Sequence, residues 1–301
     1  MEYVFLGGAG EVGGSCLLIS VAGRKILIDC GLRMCSEDRY YSALPNLLLL
    51  KELAPKLDAV LISHAHADHV GGVPILHQHY PDPPIYMTDA TQELAITMLQ
   101  NFARSQERIS YYTPKDVMTA LVGDHIKIYD ERYSISQTGW KMFDEWEDDW
   151  EYGMFPSGHI LGAVSIVLKT PEGRFFYTGD VSAFHQRTVD GIANLSGMNP
   201  DFMWCEATYG DRDHPSRSTE EQNLVNAVAA VIENGGTVLI PSFALGRAQE
   251  IILILKRAIE DKKIPKFPVF IDGLVNQICD IYARHEHTAG RYFKNVSLIN
   301  N

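Results

Sequence analysis

Short apolar runs bounded by glycine, proline and small polar residues dominate the first two thirds of the chain. Runs of this length between turn-forming residues are typical of β-strands. The pattern predicts strands at residues 3–6, 15–21, 25–29, 58–62, 84–87, 126–129, 133–136, 152–155, 163–168, 174–178 and 202–205. Two helical stretches, at residues 90–104 and 115–122, lie among them. We therefore expect a mixed α/β fold.

From residue 219 onward, helices alternate with strands. The pattern predicts helices at residues 220–233, 245–259 and 274–285, a buried strand at residues 237–241 and a strand at residues 269–272. Such alternation is characteristic of an α/β module. We expect a second domain in this part of the chain.

A glycine-rich turn near the N-terminus fits the fingerprint of a dinucleotide-binding site. Gly8, Gly10 and Gly13 have the required spacing, and Asp29 follows about 20 residues later. That fingerprint has to open a helix, whereas the residues that follow predict two strands joined at Ala22-Gly23. The pattern therefore argues against a nicotinamide site.

Composition and charge narrow the class of protein. The chain has 301 residues, of which 46% are hydrophobic, and this is enough for one large domain or two ordinary ones. Apolar runs are far shorter than the roughly 20 residues of a membrane span, and the N-terminus lacks signal-peptide features, so we expect a cytoplasmic protein without a membrane partner. A net charge of -12 argues against a protein that coats nucleic acid over its whole surface, but not against a local basic groove. The five cysteines lack C-x-x-C spacing and are predicted to be buried thiols.

One run, H-x-H-x-D-H, concentrates coordinating side chains: His64, His66, Asp68 and His69. It follows a predicted buried strand and precedes a predicted helix, so it should form a strand-to-helix loop. In extended backbone the first two histidines point the same way, while Asp68 and His69 turn toward a second point. Imidazoles with carboxylates suit zinc, and a pair of metal ions can activate water against a phosphoester or an amide. The run predicts a two-metal site; the alternative is a polar surface loop.

Two other patterns invite functional interpretations. The pairs His77-x-His79 and His285-x-His287 have ligand-like spacing but lie on or just after predicted helices, where positions i and i+2 diverge, so we expect surface residues. Residues 140–151 are acidic and contain three tryptophans, and we expect an exposed loop there. Packing of these tryptophans on a protein partner, or stacking on a base, are the alternatives.

The H-x-H-x-D-H run resembles the signature of the metallo-β-lactamase superfamily, and four more stretches match that family in order. They are Leu27-Ile28-Asp29-Cys30-Gly31, Gly158-His159-Ile160-Leu161-Gly162-Ala163, Tyr177-Thr178-Gly179-Asp180 and Glu206-Ala207-Thr208-Tyr209-Gly210. Together with the sequence FALGRAQE at residues 243–250, the last stretch resembles the β-CASP branch, the nucleases that process RNA or DNA. The resemblance covers essentially the whole chain. It implies an α+β sandwich of the αββα metallo-β-lactamase type, followed by part of an α/β β-CASP domain.

The resemblance also implies a reaction: hydrolysis of a phosphodiester, most often in RNA, by a hydroxide held between two zinc ions. The six implied ligands form two sets that share one carboxylate: His64, His66, His159 and Asp180 for one ion, and Asp68, His69 and Asp180 for the other.

Four implied roles lie beyond simple ligation. Asp29 would orient the metal-binding imidazoles from behind. Asp68 would take part in catalysis as well as binding metal, and Glu206 would act as a catalytic acid. Arg247, at a predicted helix start, is a candidate contact for a substrate phosphate.

For domains, we expect residues 1–208 to form the metallo-β-lactamase domain without its C-terminal return segment, and residues 209–301 to form the N-terminal part of a β-CASP domain. In that family two more histidines follow the inserted domain, and this sequence contains neither of them, so the second zinc site should be incomplete. The expected partners are single-stranded RNA, the missing C-terminal segment as part of a longer chain or as a separate chain, and a second copy in a homodimer.

The sequence therefore leaves three candidate functions. The first is a zinc-dependent ribonuclease in RNA processing or degradation. The second is another hydrolase of the same fold, of the thioesterase or lactonase type. The third is an inactive RNA-binding or scaffold fragment.

Overall fold

The computed structural model describes residues 1–33, 43–105, 112–130, 141–143, 146 and 150–285. The chain divides into two compact units. The first comprises Met1–Ala183 and Gly191–Glu206, and the second comprises Phe184–Asp190 and the described part of Ala207–Asn301. The domain boundary expected at residue 208 stays a prediction.

A six-stranded sheet with strand order β1-β2-β3-β4-β5-β6 occupies the first unit. Its strands are β1 (Glu2–Gly7), β2 (Cys16–Val21), β3 (Arg24–Ile28), β4 (Ala59–Leu61), β5 (Ile85–Thr88) and β6 (Ile126–Tyr129). The first three strands are antiparallel, and β3 to β6 are parallel. Parallel neighbours end at the same edge of a sheet, so the residues that follow β3 and β4 are brought side by side.

Five helices accompany this sheet among the described residues. They are α1 (Leu47–Leu53), α2 (Ala67–Val70), α3 (Val73–His79), α4 (Asp89–Ser105) and α5 (Pro114–Leu121). Helix α5 begins with a capping box, in which Thr113 and Asp116 satisfy each other's backbone N–H groups.

A second sheet, with strand order β11-β10-β9-β8-β7, completes the first unit. Its strands are β7 (Lys141–Met142), β8 (Glu151–Pro156), β9 (Val164–Thr170), β10 (Gly173–Tyr177) and β11 (Phe202–Trp204). Side chains from both sheets form one buried cluster, which includes Ile28 and Leu61 from the first sheet and Met154 and Ile166 from the second. The predicted α/β sandwich is confirmed.

The glycine-rich turn at residues 7–14 leads into strand β2 and not into a helix. This confirms that the dinucleotide fingerprint lacks its structural context. The two strands expected after it form a hairpin, β2 with β3, in which Ala22 and Gly23 both have positive φ.

The expectation of an exposed tryptophan-rich loop is wrong for the tryptophans that the structure describes. Trp150 is fully buried, and Trp146 packs against the same core. Trp146 stacks on Phe143 with 4.1 Å between ring centroids, and the Arg24 guanidinium lies 4.1 Å from the Trp146 ring centroid. The apolar area of the rings outweighs the surrounding acidic charge in deciding where they go. Trp140 lies outside the described residues.

The second unit contains α6 (Arg217–Glu233), α7 (Arg247–Glu260) and α8 (Val275–Arg284). Its core is a separate cluster between α6 and α7, built on Val225, Val228, Ile254 and Leu255. All three predicted helices are therefore present.

Neither of the two strands predicted in the second unit forms a ladder with the rest of the described residues. Residues 237–241 have strand-like alternation, because Val238 and Ile240 pack against the core while Leu239 is 88% exposed. They form no ladder with the other described residues, and residues 269–272 make only an isolated bridge at Phe270. Alternation of buried and exposed side chains is a property of one segment, whereas a β-strand also needs the backbone of a neighbouring strand for its hydrogen bonds.

Two smaller expectations also need correction. His285 is buried, which contradicts the expected surface position. His77 is partly buried and stacked on His125 with 4.6 Å between ring centroids, whereas His79 is exposed as expected and His287 lies outside the described residues. Cys205 is exposed, in contrast to Cys16, Cys30 and Cys279. Among the described residues, no helix is long and apolar enough to cross a membrane.

Candidate metal centre

The six predicted ligands all follow the ends of strands or open a helix in the first unit. His64 and His66 lie just after β4, while Asp68 and His69 lie in α2. His159 lies between β8 and β9, and Asp180 follows β10.

Ser63 joins the ends of the two sheets. Its carbonyl accepts a hydrogen bond from the backbone N–H of Val164, at the start of β9, at 2.9 Å. A Cβ on Gly179 would lie 3.1 Å from the Ser63 Cβ, so glycine permits the close approach of the loop that carries Asp180. The structure thereby brings together side chains that are 90 or more residues apart in sequence, such as His66 and His159.

One group of potential ligands consists of His64, His66, His159 and Asp180, whose nearest ligand atoms all lie within 4.8 Å of one another. The His159 Nε2 atom lies 3.0 Å from His66 Nδ1 and 3.5 Å from an Asp180 carboxylate oxygen. The His64 Nε2 atom lies 3.9 Å from the same oxygen, Oδ2. These four residues are the set expected for the first ion.

A second group consists of His64, Asp68 and His69. Here the structure differs from the expected set, which had Asp180 in place of His64. Asp180 is nonetheless a neighbour, since its Oδ1 atom lies 3.3 Å from His69 Nε2, closer than the 3.9 Å that separates His69 Nε2 from Asp68 Oδ2.

The chemistry of His64 fits a metal ion. Its Nε2 atom is buried and makes no hydrogen bond. Burial lowers the pKa of this imidazole well below its usual value, and the neighbouring His69 and His66 lower it further, so the ring is neutral. A neutral imidazole can offer its ring nitrogen to a metal. An unsatisfied buried acceptor costs about 1–3 kcal/mol, and coordination of an ion would remove that cost.

Asp29 lies against the cluster and contacts both Ser63 and His69. It is fully buried, and its carboxylate accepts hydrogen bonds from the Ser63 backbone N–H at 2.7 Å and the Ser63 hydroxyl at 2.7 Å. The same carboxylate lies 2.8 Å from His69 Nδ1 and accepts from the Tyr177 hydroxyl at 2.9 Å. Its contact with His69 places the ring proton on Nδ1 and leaves Nε2 to face Asp68 and Asp180.

The charges of this cluster are strongly coupled. Burial alone would lower the pKa of His69, but the negative charge of Asp29 and hydrogen bonds with Asp180 and Asp29 raise it well above its usual value. Burial acts to raise the pKa of Asp180, but the hydrogen bond and the positive charge of His69 oppose it, and the pKa of the carboxyl falls to about 2. Asp180 is therefore ionised throughout the neutral pH range.

Glu206 lies beside this cluster, at the end of β11. Its carboxylate accepts from the Val181 backbone N–H at 3.3 Å, and its own backbone N–H donates to the Thr178 hydroxyl at 3.0 Å. Both partners flank Asp180 in sequence, so Glu206 is tied to the Asp180 loop. Arg247 is exposed and opens α7 in the second unit.

Sequence reasoning did not assign roles to Ser63 and Tyr177, although both contact Asp29. Ser63 directly precedes the H-x-H-x-D-H run, and Tyr177 opens the stretch that ends at Asp180. Two signals for them were available in the sequence. One is a hydroxyl side chain directly before a histidine ligand, and the other is a tyrosine three residues before an aspartate ligand.

Comparison with known proteins gives a family match over most of the chain. The family model described as the metallo-beta-lactamase superfamily matches residues 9–241. Among solved structures, a protein of unknown function from Enterococcus faecalis V583 aligns with 95% of this chain and 68% of its own, with a TM-score of 0.57 and 14% identity. That likeness concerns the fold alone.

Three curated relatives align with nearly the whole chain. The probable RNase MJ4 of Methanocaldococcus jannaschii is 31% identical over 99% of this chain. Transcription termination factor FttA of the same organism is 32% identical over 93% of it, and Integrator complex subunit 11 of Danio rerio is 31% identical over 92%. The chain spans 67% of the first relative's length, and 43% and 45% of the other two.

Proposed function

Because this chain belongs to the metallo-beta-lactamase superfamily, in its β-CASP branch, we propose that it is a metal-dependent ribonuclease that hydrolyses phosphodiester bonds in single-stranded RNA. One observation carries the proposal: three separate loops bring His66, His159 and Asp180 together with His64, whose buried Nε2 atom makes no hydrogen bond. The names of the relatives, an RNase and a transcription termination factor among them, favour RNA as the substrate.

Zinc in two sites is the proposed metal content. Imidazole nitrogen with carboxylate oxygen is a donor set that suits zinc. His64, His66, His159 and Asp180 would hold one ion, and Asp68 and His69 would hold the other with Asp180. When bound, the ions supply Lewis acidity that activates a water molecule and neutralises charge on the phosphate.

The residues of the chain prepare this site before any metal binds. Burial keeps His64 neutral, so its Nε2 lone pair is available at neutral pH. Asp29 fixes the tautomer and the orientation of His69. Asp180 is ionised and lies near both histidine groups, which is the position required of a shared carboxylate.

Glu206 is proposed as the acid that gives a proton to the leaving oxygen. Its carboxyl is held next to the Asp180 loop by the Val181 N–H and is only partly buried. A general acid has to reach both the reacting atoms and a proton source, and partial exposure meets the second need. Replacing Glu206 by Gln should slow RNA cleavage by roughly 10²-fold while the metal content stays unchanged. Unaltered turnover would remove Glu206 from the mechanism.

Arg247 is proposed to contact a substrate phosphate. It is exposed at the first position of α7, where its guanidinium and the start of the helix both favour an anion. Replacing Arg247 by Ala should raise KM more than it lowers kcat.

Cleavage of labelled single-stranded RNA by the purified protein tests the function. The protein is stripped with a chelator, and zinc is then added back in measured amounts. Activity should depend on zinc and be lost in Asp180→Asn, whereas Asp82→Asn, a change at an exposed aspartate of the same unit, should behave like the wild type. A zinc-loaded protein that leaves RNA intact but hydrolyses a thioester or a lactone would overturn the proposal.

A further inference from the structure

A turn that follows helix α7 in the second unit, residues 262–266, presents three lysines to solvent. We call it the lysine turn. Lys262, Lys263 and Lys266 are all exposed, and their side chains form no hydrogen bond or ion pair with the described part of the chain. The chain as a whole carries a net charge of -12, so three uncompensated lysines within five positions are a local reversal of charge.

The surroundings of the lysine turn leave this charge in place. The turn lines a shallow hollow of about 460 Å³, and among the described residues of that lining Glu233 carries the one negative charge. The acidic residues at the end of α7 are engaged elsewhere. Asp261 accepts a hydrogen bond from Arg257 Nε at 3.0 Å. Glu260 lies 3.9 Å from the Lys256 ammonium group. The net charge around the hollow is therefore positive.

The backbone of the lysine turn is fixed by the end of the helix. The Lys262 N–H donates to the Ile259 carbonyl at 3.0 Å, and the Lys263 N–H donates to the Ala258 carbonyl at 2.9 Å. This pair of hydrogen bonds is the Schellman motif of helix ends. Ile264 follows and is buried in the core of the second unit. The lysine side chains therefore project from a turn that the fold holds in place.

Lys262 occupies a position at which helices usually have glycine. Its φ is +58°, in the left-handed region, where a side chain adds strain. Helix α6 ends with the same pair of hydrogen bonds, but there the residue with positive φ is Gly235, at +71°. The chain thus has glycine at one such helix end and a strained lysine at the other. Strain that is kept at an exposed position indicates a use for the side chain beyond the fold.

The helix end does not account for the whole lysine turn. Cations near the C-terminus of a helix stabilise it, but this effect falls off within the last turn. Lys266 lies beyond the end of α7 at Glu260, on the far side of Pro265. A charge there does little for the helix. Three lysines on one turn can, however, each neutralise a phosphate of a nucleic acid strand.

We propose that the lysine turn binds the phosphate backbone of single-stranded RNA, with Lys262, Lys263 and Lys266 each neutralising one phosphate. The inference rests on the proposed function, which identifies the polyanion as RNA. Because phosphate contacts carry no direct information about base sequence, the turn adds affinity without selecting a sequence.

The salt dependence of RNA binding by the full chain, with zinc removed so that the RNA stays intact, tests the contact. For a single strand, each phosphate contact contributes about 0.7 to the slope of log affinity against log salt concentration. In the triple variant Lys262→Gln, Lys263→Gln, Lys266→Gln we expect this slope to be shallower by about 2. About a fourfold rise in salt should then weaken binding by the wild type roughly 20-fold more than binding by the variant. Poly(U) and poly(A) of equal length should show the same difference.

The matched control replaces three exposed lysines of the first unit, Lys51, Lys56 and Lys115, by Gln and makes the same change in net charge. It should keep the wild-type slope. An unchanged slope in the lysine-turn variant, or an equal loss in both triple variants, would overturn the inference. So would a lysine-turn variant that binds RNA like the wild type but no longer binds phosphatidylserine vesicles, because the turn would then recognise a membrane surface.

Lys262→Gly separates the charge of the turn from its part in the fold. Glycine relieves the left-handed strain, so unfolding should occur at the same or a higher urea concentration than in the wild type. The slope of RNA binding should nevertheless fall by about 0.7. Gly235→Ala adds strain alone at the equivalent position of α6, so it should lower the urea midpoint and leave RNA binding unchanged. A Lys262→Gly protein that unfolds at lower urea and binds RNA like the wild type would overturn the inference, because the lysine would then serve only the helix end.

The two hypotheses fail separately. If the zinc-loaded wild type cleaves RNA but the lysine-turn variant keeps the wild-type slope, only the phosphate contact is wrong. If the wild type binds RNA through the turn but does not cleave it, only the proposed reaction is wrong. If the wild type neither binds nor cleaves RNA, the proposed function fails and this inference fails with it.

Discussion

Asp29 contacts a potential metal ligand but is not one itself, so a change at this residue tests how the candidate metal centre is supported without removing a ligand. It contacts His69, Ser63 and Tyr177 and lies in neither group of potential ligands. Its φ of +58° is in the left-handed region, which asparagine also tolerates, so Asp29→Asn changes the chemistry with little added backbone strain.

We expect Asp29→Asn to weaken zinc binding by roughly 10- to 100-fold, the usual cost of losing an outer-shell partner. The amide can no longer hold the His69 ring proton as a carboxylate does. Competition with a chromophoric chelator measures the affinity. Tyr177→Phe removes only one of the four contacts and should have a smaller effect; equal affinities for Asp29→Asn and wild type would contradict the orienting role.

Glu221 gives a prediction for pH. Burial acts to raise its pKa, but the hydrogen bonds and positive charges of Arg187 and Arg217 together outweigh burial, and the pKa lies below the usual 4.5. A carboxyl with a lowered folded-state pKa stabilises the fold above its unfolded-state pKa, and that contribution is lost as pH falls through the folded-state value.

Glu221→Gln should therefore lower the free energy of unfolding at pH 6 to 7, and the difference from wild type should shrink as pH falls below about 4.5. Urea unfolding at a series of pH values measures this. Glu220→Gln, at the exposed neighbouring position, is the control. A difference between wild type and Glu221→Gln that stays constant down to pH 3 would exclude the ion pair as its cause.

At the scale of elements, the loop that carries His159 depends on a glycine. Gly158 has a φ of +77°, and a Cβ there would lie 2.5 Å from the Ser182 carbonyl oxygen and 2.6 Å from the Ile192 nitrogen. Gly10 has a similar φ of +73° with no atom within 4 Å of the same added Cβ. The two glycines thus share a backbone conformation and differ in crowding.

Gly10→Ala should cost only the conformational strain, about 1 kcal/mol of unfolding free energy. Gly158→Ala should cost more and should also lower zinc affinity at least tenfold, because the backbone next to His159 has to move. Unfolding titrations and chelator competition on both variants provide the test. Equal losses in the two variants would mean that crowding at Gly158 does not position His159.

For the whole molecule, two separate cores predict two unfolding transitions. Among the described residues, the larger cluster of the first unit has 17 buried side chains, and the cluster of the second unit has six. All four tryptophans lie at positions 140 to 204, outside the ranges of the second unit, so their fluorescence reports only the first.

We expect circular dichroism to show a loss of helix at lower urea concentration than the change in tryptophan fluorescence, because the smaller core unfolds first. Adding zinc should move only the fluorescence transition to higher urea, since the metal centre lies in the first unit. Coincident transitions that shift together would show that the chain unfolds as one cooperative unit.

Local sequence determined much of the sandwich and four of the six residues of the candidate metal centre. His64, His66, Asp68 and His69 lie within six positions, so one strand-to-helix loop was enough to predict them together. Ten of the eleven strand predictions for the first unit fall on described residues, and all ten coincide with strands; the eleventh, residues 133–136, lies outside them. Apolar runs between turn-forming residues report strands well where both faces are buried.

Only the tertiary structure decided which distant groups meet. Tyr177 reaches Asp29 across 148 positions, Glu250 holds Thr188 across 62, and the tryptophans at 146 and 150 enter a core despite their acidic neighbours. The segment at residues 237–241 has the alternation of a strand and finds no partner among the described residues. A periodic pattern shows which side of a segment is apolar, but burial, pairing and charge compensation depend on neighbours far away in sequence, and no local pattern contains them.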